Sequence, residues 1–307
     1  MNLPFPNDDI QTPCAVALGN FDGVHLGHRA VLKASLEAKS RGLTPTVITF
    51  APHPRAYFGG QTGFLLSSLQ EKKHILTELG FSQILVLPFG PELAQMTAET
   101  FVLDVLIGHL KTKQVSVGWN FHFGKGRTGN AAFLEHILPP LGVDLSICPP
   151  FLLGKKQVSS SAIRSALTEG NLVEVKTFLG RNYTLYGKVI HGEERGRTIG
   201  FPTANIQIDP MRFIPRYGVY LTSVTWEGQQ KMGLTNIGVR PTFQGVAPSL
   251  EVHLLDWSGD LYDKELTLEF TDFIRPEVQF NSVDELVAQI REDRDKALSL
   301  ISDAAKL

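Results

Sequence analysis

Two histidines three residues apart, His25 and His28, end a glycine-bearing run that reads Gly19-Asn20-Phe21-Asp22-Gly23-Val24-His25-Leu26-Gly27-His28. The run follows a short apolar strand and opens a helix, so its backbone N–H groups suit a phosphate. Gly19, Gly23 and Gly27 let the backbone approach such a ligand closely. The spacing at a helix start lets both imidazoles face one point. Two imidazole donors beside a helix terminus would stabilise charge on a transferring phosphoryl group. Read singly, each histidine is equally a surface or capping residue. A zinc site would need a third and fourth ligand, and Cys14 and Cys148 are isolated rather than paired at a metal spacing.

Farther along, Val158-Ser159-Ser160-Ser161-Ala162-Ile163-Arg164 offers hydroxyls and a cation. Ser160 or Ser161 can cap a new helix, and Arg164 falls one turn on along the same side. Alone, a serine run of this kind is an N-cap. A second constellation lies beyond a glycine-bearing loop that contains Gly192, Gly196, Arg197 and Gly200. There Thr203 and Asn205 stand two apart, which on a strand puts both side-chain oxygens on one face, where they could share one Mg²⁺. The alternative is a turn and a strand edge in which both merely bond backbone. Glu251 alternates with Leu250, Val252 and Leu254, the pattern of a solvent-facing residue on a half-buried strand as well as of a placed carboxylate base.

Before about residue 180, apolar runs at 15–18, 46–50, 84–87, 115–118 and 145–147 read as strands. Amphipathic stretches near 28–41, 68–79, 98–110 and 129–137 read as helices. Ser68 with Glu71 three on has capping-box spacing. Such alternation predicts an α/β unit, a parallel sheet covered by helices, with ligands beyond the carboxyl ends of its strands. After about 181 the pattern becomes all-β, with strands at 183–190, 218–226, 231–237, 250–256 and 265–273. Glu227-Gly228 marks a hairpin turn. A helix from Ser282 to about Ile301 follows, with an apolar stripe at Leu286, Ile290, Ala297, Leu298 and Ile301. This predicts a small antiparallel barrel or sandwich with a C-terminal helix, and a domain boundary at 182/183.

The chain has 307 residues, about two domains' worth. A net charge of −2 argues against a polycationic nucleic-acid binder. No apolar run approaches the ~20 residues of a membrane span, and the first nine residues lack the regions of a signal peptide. Two cysteines cannot make a disulfide framework and are expected as reduced thiols. These features predict a cytoplasmic protein, a monomer or weak oligomer, with neither nucleic-acid nor membrane partners.

The longer strings carry more than the single residues do. Gly19 to His28 resembles the His-x-Gly-His signature of the nucleotidyltransferase superfamily, whose histidines bind nucleotide phosphates. Val158–Arg164 resembles that superfamily's Ile-Ser-Ser-Thr-x-x-Arg segment. Gly118-Trp119-Asn120-Phe121-His122-Phe123-Gly124 is similar to a Gly-x-Asn-Phe-x-Phe-Gly loop whose Asn contacts the nucleotide. Gly196-Arg197-Thr198-Ile199-Gly200-Phe201-Pro202-Thr203-Ala204-Asn205 resembles the riboflavin kinase signature, and segments at 236–243, 250–256, 261–262 and 273–277 match that family in order.

From about Cys14 to Lys296 the chain thus resembles the bacterial bifunctional FAD synthetases. The resemblance implies a Rossmann-like FMN adenylyltransferase domain at 1–182 and a barrel of riboflavin kinase type at 183–307. It further implies riboflavin, FMN and ATP as substrates, and Mg²⁺. It makes His25 and His28 the adenylyltransfer histidines and Glu251 the kinase base. Thr203 and Asn205 become metal ligands. Gly19, Asn20, Phe21, Asp22, Gly23, Gly27, Asn120, Ser160, Ser161, Arg164, Gly192, Gly196, Arg197 and Gly200 become nucleotide-binding positions. A single-activity enzyme and a non-enzymatic flavin-binding regulator stay open as alternatives.

Overall fold

Short apolar strands alternating with helices build a five-stranded parallel sheet in the first half of the chain. The computed structural model describes residues 10–192, 196, 199–242, 245–304 and 306. They form two units, Met1–Ala162 and Ile163–Leu307. In the first unit the order is β1 (Cys14–Leu18), α1 (Leu26–Glu37), β2 (Thr44–Ala51), α2 (Pro54–Gly59), α3 (Leu69–Glu78), β3 (Gln83–Pro88), α4 (Pro91–Gln95) and α5 (Ala98–Thr100). Then come β4 (Gln114–Gly118), a hairpin of β5 (His122–Phe123) and β6 (Gly129–Asn130), α6 (Ala131–Ile137), β7 (Asp144–Cys148), a hairpin of β8 (Leu152–Leu153) and β9 (Lys156–Gln157), and α7 (Ser160–Glu169), which runs on into the second unit.

The sheet order is β3-β2-β1-β4-β7. β1 is central and buried on both faces, as a strand covered by helices on both sides must be. Cys14, Val16 and Leu18 pack with Phe101, Val102 and Val105, while Ala17 packs with Val31, Leu32 and Leu76. After β3 the chain returns to the other side of β1. Ligands in such sheets bind at this reversal, outside the carboxyl ends of the two flanking strands. Those ends carry the Gly19–His28 and Gly118–Gly124 runs.

The α3 capping box forms as its spacing predicts: Glu71 N–H donates to Ser68 Oγ and Ser68 N–H to the Glu71 carboxylate. The helix expected over 98–110 is instead one α turn followed by a π-helix over Phe101–His109. Its wider winding buries Phe101, Val102, Val105 and Leu106.

In the second unit α8 (Leu172–Leu179) precedes a closed antiparallel barrel. Around it run β10 (Tyr183–Ile190), β11 (Ala204–Ile208), β14 (Gly245–Leu254), β13 (Gln229–Thr242), β12 (Gly218–Trp226) and β15 (Glu265–Pro276). The sequence signals for α8, Asn171 capping Glu174 N–H and Gly180 at its end, are ordinary caps inside a stretch without a strand. Glu227 and Gly228 both take left-handed φ, 44° and 77°, the conformation a two-residue hairpin between β12 and β13 requires.

The last helix, α9 (Val283–Ala304), packs on β13 and β15. Its stripe follows the expected one at Ala297, which is buried, and at Leu286, Ile290 and Ile301, which are half-buried. Leu298 is exposed, and position 293 faces inward, where Asp293 pairs with Arg275. An ion pair, not a leucine, fills that turn of the interface.

Candidate functional site

The β1–α1 loop is wound tightly. Phe21, Gly23 and Val24 take left-handed φ of 49°, 83° and 42°. For a β-branched valine that is strain of the kind held at functional loops. Asp22 fixes the loop: its carboxylate accepts from Leu66 N–H and Ser67 N–H, while Ser67 Oγ accepts from Gly23 N–H. Ser160 Oγ donates to the Asp22 carbonyl at 2.9 Å, which joins the serine segment to the glycine loop. The cap of α7 is Ser159, whose Oγ accepts from Ala162 N–H, rather than Ser160 or Ser161. Ser160 is thereby released from capping to hold the loop.

His25 is the N-cap of α1. Its Nδ1 accepts the His28 backbone N–H at 3.2 Å, so in the neutral ring the proton sits on Nε2. The two imidazoles stack with centroids 3.6 Å apart and 16° between planes. Gly27 makes this possible: a Cβ there would crowd the His25 ring at 3.2 Å and the Val158 carbonyl at 3.3 Å. Desolvation, then the charges of His25 and Lys72, holds His28 well below the usual histidine range, so it is neutral at pH 7.

Both histidines line a cleft of about 260 Å³ together with Gly27, Gly118, Asn120, Ser160 and Ser161. Three segments far apart in sequence meet there. Trp119, 48% exposed, and Pro149–Phe151 add an apolar wall. Among the described residues, Asn20 Oδ1 and His28 Nδ1 are buried without a partner, polar capacity that a bound anion with its water would use. Gly19 lies beneath the Phe21 ring, and Arg164 stands one turn beyond Ser160 on α7.

A larger cavity of about 960 Å³ opens in the same unit. Its walls include Phe50, Phe58, Phe89, Phe121 and Phe123, with Arg55, Lys125 and Arg127 among them. The Gly118–Gly124 loop faces both spaces: Trp119 and Asn120 line the cleft, Phe121 to Gly124 the aromatic cavity. Sequence alone did not single out this cavity, whose aromatic residues come from separate strands and loops. Nor did it single out Lys72, a buried lysine that donates to the Asn20 carbonyl at 2.7 Å.

In the barrel, Asn205 of β11 and Asn236 of β13 are both register partners of Glu251 on β14. Directly opposed residues share a face, so the three side chains do too. Thr203 Oγ1 donates to Glu251 Oε2 at 3.2 Å. A Cβ at Gly192 would land on the Asn205 side-chain amide, so glycine is required there. Gly196 accepts the Phe201 N–H through its carbonyl, and Gly200 takes a left-handed φ of 85°. Arg197 lies outside the described residues.

Beside this group a cavity of about 500 Å³ is lined by Val189, Thr203, Val252, Leu254, Trp257 and Tyr262, and Tyr262 stacks on His191 at 3.9 Å. The donors Thr203 and Asn205 are hard oxygens, the set that Mg²⁺ prefers. Among the described residues no group of three or more His, Cys, Asp or Glu is placed to hold a metal ion.

Residues 7–162 match the family model described as FAD synthetase, and residues 179–301 the one described as riboflavin kinase. The chain is 40% identical over 290 residues to the bifunctional riboflavin kinase/FMN adenylyltransferase of Escherichia coli (strain K12), spanning 92% of this chain and 91% of that protein. It is 34% identical over 302 residues to the protein so described from Bacillus subtilis (strain 168), spanning 96% and 95%. A crystal structure described as a macrolide-efflux protein from Streptococcus pneumoniae matches with a TM-score of 0.83 at 30% identity, over 94% of this chain and 95% of that one. Among the described residues, no helix here is long and apolar enough to cross a membrane.

Proposed function

Since this chain belongs to the family of bifunctional riboflavin kinase/FMN adenylyltransferases, we propose that residues 1–182 carry the adenylyltransferase and residues 183–307 the kinase. The chain phosphorylates riboflavin with ATP to give FMN, then adenylylates FMN to FAD with release of pyrophosphate. Both halves match enzyme families, so neither the single-activity nor the regulator alternative is retained.

In adenylyl transfer an FMN phosphate oxygen attacks the α-phosphorus of ATP and the bond to the β-phosphate oxygen breaks. No protein nucleophile takes part. His25 donates from Nε2 and neutral His28 acts as a hydrogen-bond donor rather than a cation, beside the α1 terminus. Ser160, Ser161 and Arg164 serve the remaining phosphates, and Asn120 the nucleotide. The isoalloxazine occupies the aromatic cavity, where ring stacking is available and Arg55, Lys125 and Arg127 suit an anionic flavin. The observation that carries this site is the convergence of His25, His28, Asn120 and Ser160 on one cleft.

In the kinase step a riboflavin hydroxyl attacks the γ-phosphorus of ATP and Glu251 accepts its proton. Thr203 orients that carboxylate through its hydroxyl proton while its lone pairs remain available. Mg²⁺ held by Thr203 and Asn205 would neutralise phosphate charge there. The setting is cytoplasmic, as monomer or weak oligomer, without nucleic-acid or membrane partners. A net charge of −2 and the free thiols of Cys14 and Cys148 support this.

The test is product analysis of purified protein with riboflavin and Mg-ATP. FMN should appear first, followed by FAD and pyrophosphate. FMN without FAD would remove the assignment of the cleft, and no flavin turnover at all would remove both sites.

A further inference from the structure

Lys72 sits in the first turn and a half of α3, where its neighbour Lys73 is exposed, yet Lys72 itself is only 5% exposed. Burial of an ammonium is strongly unfavourable unless its protons and charge are answered. Here the answer is unusual. Nζ donates to the Asn20 carbonyl at 2.7 Å and to Thr49 Oγ1 at 3.2 Å, and Thr49 in turn donates to the same carbonyl at 3.1 Å. The ammonium is therefore fastened to the backbone of the phosphate loop. A trans peptide points its N–H opposite to its C=O. Holding the Asn20 carbonyl toward Lys72 turns the Phe21 N–H the other way, and among the described residues that N–H has no hydrogen-bond partner.

We propose that Lys72 is a positioning residue for adenylyl transfer, its buried ammonium fixing the Asn20–Phe21 peptide and setting positive charge behind the stacked histidines. The proposal rests on the assignment of adenylyl transfer to the first unit. Lys72 lines neither cavity, so it acts through the loop and its field, not by touching substrate. The titratable groups facing it are Asp22 of the loop, which favours its charged form, and His28 of α1, with His25 stacked beyond. Thr49 of β2 does not titrate, and Glu71 of its own helix is engaged with Ser68.

Burial draws the Lys72 ammonium down to about 8 against the favourable charge of Asp22. The group is charged below that pH and neutral above it. Positioning by charge should therefore be complete near pH 7 and fade as pH rises through 8. The kcat/KM for ATP in FAD formation, which reports the free enzyme, should fall about tenfold per pH unit on that basic limb. FMN formation in the barrel should not share a limb that depends on Lys72.

The experiment measures both reactions in the full chain across pH 6 to 10 (a range on the order of four units), using FMN with Mg-ATP for one and riboflavin with Mg-ATP for the other. K72M should lower kcat/KM for ATP in FAD formation about 100-fold at neutral pH and leave FMN formation within about twofold. K72R carries a charge that does not titrate in this range, so it should keep FAD formation within about fivefold and abolish the basic limb. A limb that persists in K72R, or K72M within about twofold of wild type, would overturn the proposal. If K72M fails to fold, seen as loss of the first unit's thermal transition by circular dichroism, the wild-type and K72R pH profiles decide alone. If wild type makes no FAD from supplied FMN, the underlying assignment falls, an outcome distinct from normal FAD formation by K72M.

Discussion

The His25 ring accepts the His28 backbone N–H at 3.2 Å while the two imidazoles lie face to face with centroids 3.6 Å apart. One residue is thus both the cap of α1 and half of the stacked pair that lines the cleft. Two full positive charges at that separation would repel, in keeping with His28 held neutral. His28→Ala should lower FAD formation about 10²–10³-fold, the scale for loss of a preorganised donor to a developing anion. FMN formation from riboflavin should be unchanged. A folded H28A enzyme that made FAD at the wild-type rate would take His28 out of the chemistry.

Glu251→Ala should do the opposite. On the proposed role of Glu251 as the kinase base, removing its carboxylate should cost about 10²–10⁴-fold in FMN formation. Supplied FMN should still be converted to FAD. Parallel assays with riboflavin and with FMN as starting flavin separate the effects, and equal loss of both would contradict two independent sites.

Phe58 offers a test of the aromatic cavity that leaves the core alone. It is 70% exposed and meets Phe89 edge-on with centroids 5.6 Å apart. Phe58→Ala should raise the KM for FMN in FAD formation about tenfold, a loss of roughly 1.4 kcal/mol of stacking. The KM for ATP and the melting temperature should stay near wild type. A rise in the KM for ATP alone would place the flavin elsewhere.

The barrel's helix is pinned by a bidentate pair: Arg275 Nε and Nη2 donate to the Asp293 carboxylate at 2.8 to 3.0 Å, with side-chain exposures of 17% and 5%. Asp293→Ala strands a guanidinium in a half-closed interface and should destabilise the second unit by about 3–5 kcal/mol. Urea unfolding followed at the barrel tryptophans, Trp226 and Trp257, would measure it. A midpoint unchanged from wild type would show that α9 does not depend on this pair.

The sequence made legible those parts of the molecule that are local. The Ser68–Glu71 cap and the Glu227-Gly228 turn each carry their instructions within a few residues, and each forms as expected. What stayed hidden depends on partners far away along the chain. Lys72 is buried because Asn20 and Thr49, 52 and 23 positions earlier, present oxygens to it; on its own helix a lysine beside another lysine reads as solvent-facing. The aromatic cavity gathers Phe50, Phe89 and Phe121 from three separate segments. In α9 one inward position goes to Asp293 for a reason that lies on β15, so hydrophobic periodicity passes over it and takes in the exposed Leu298. The serine run showed that a helix begins there, yet which serine caps it was settled by the Asp22 carbonyl, 138 residues before Ser160.

Glu251 is bracketed in the sheet by Asn205 on one side and Asn236 on the other. Side chains along a strand alternate between faces, so a slip of one residue on either side would remove Glu251 from its partners and present Leu250 or Val252 in its place. With Glu251 as the proposed base, phosphate transfer to riboflavin would double as a fidelity gauge for the closed barrel. A chain that misthreads this strand could remain folded and well populated and yet be silent, and the fraction of kinase-competent molecules counts those whose strands closed in step.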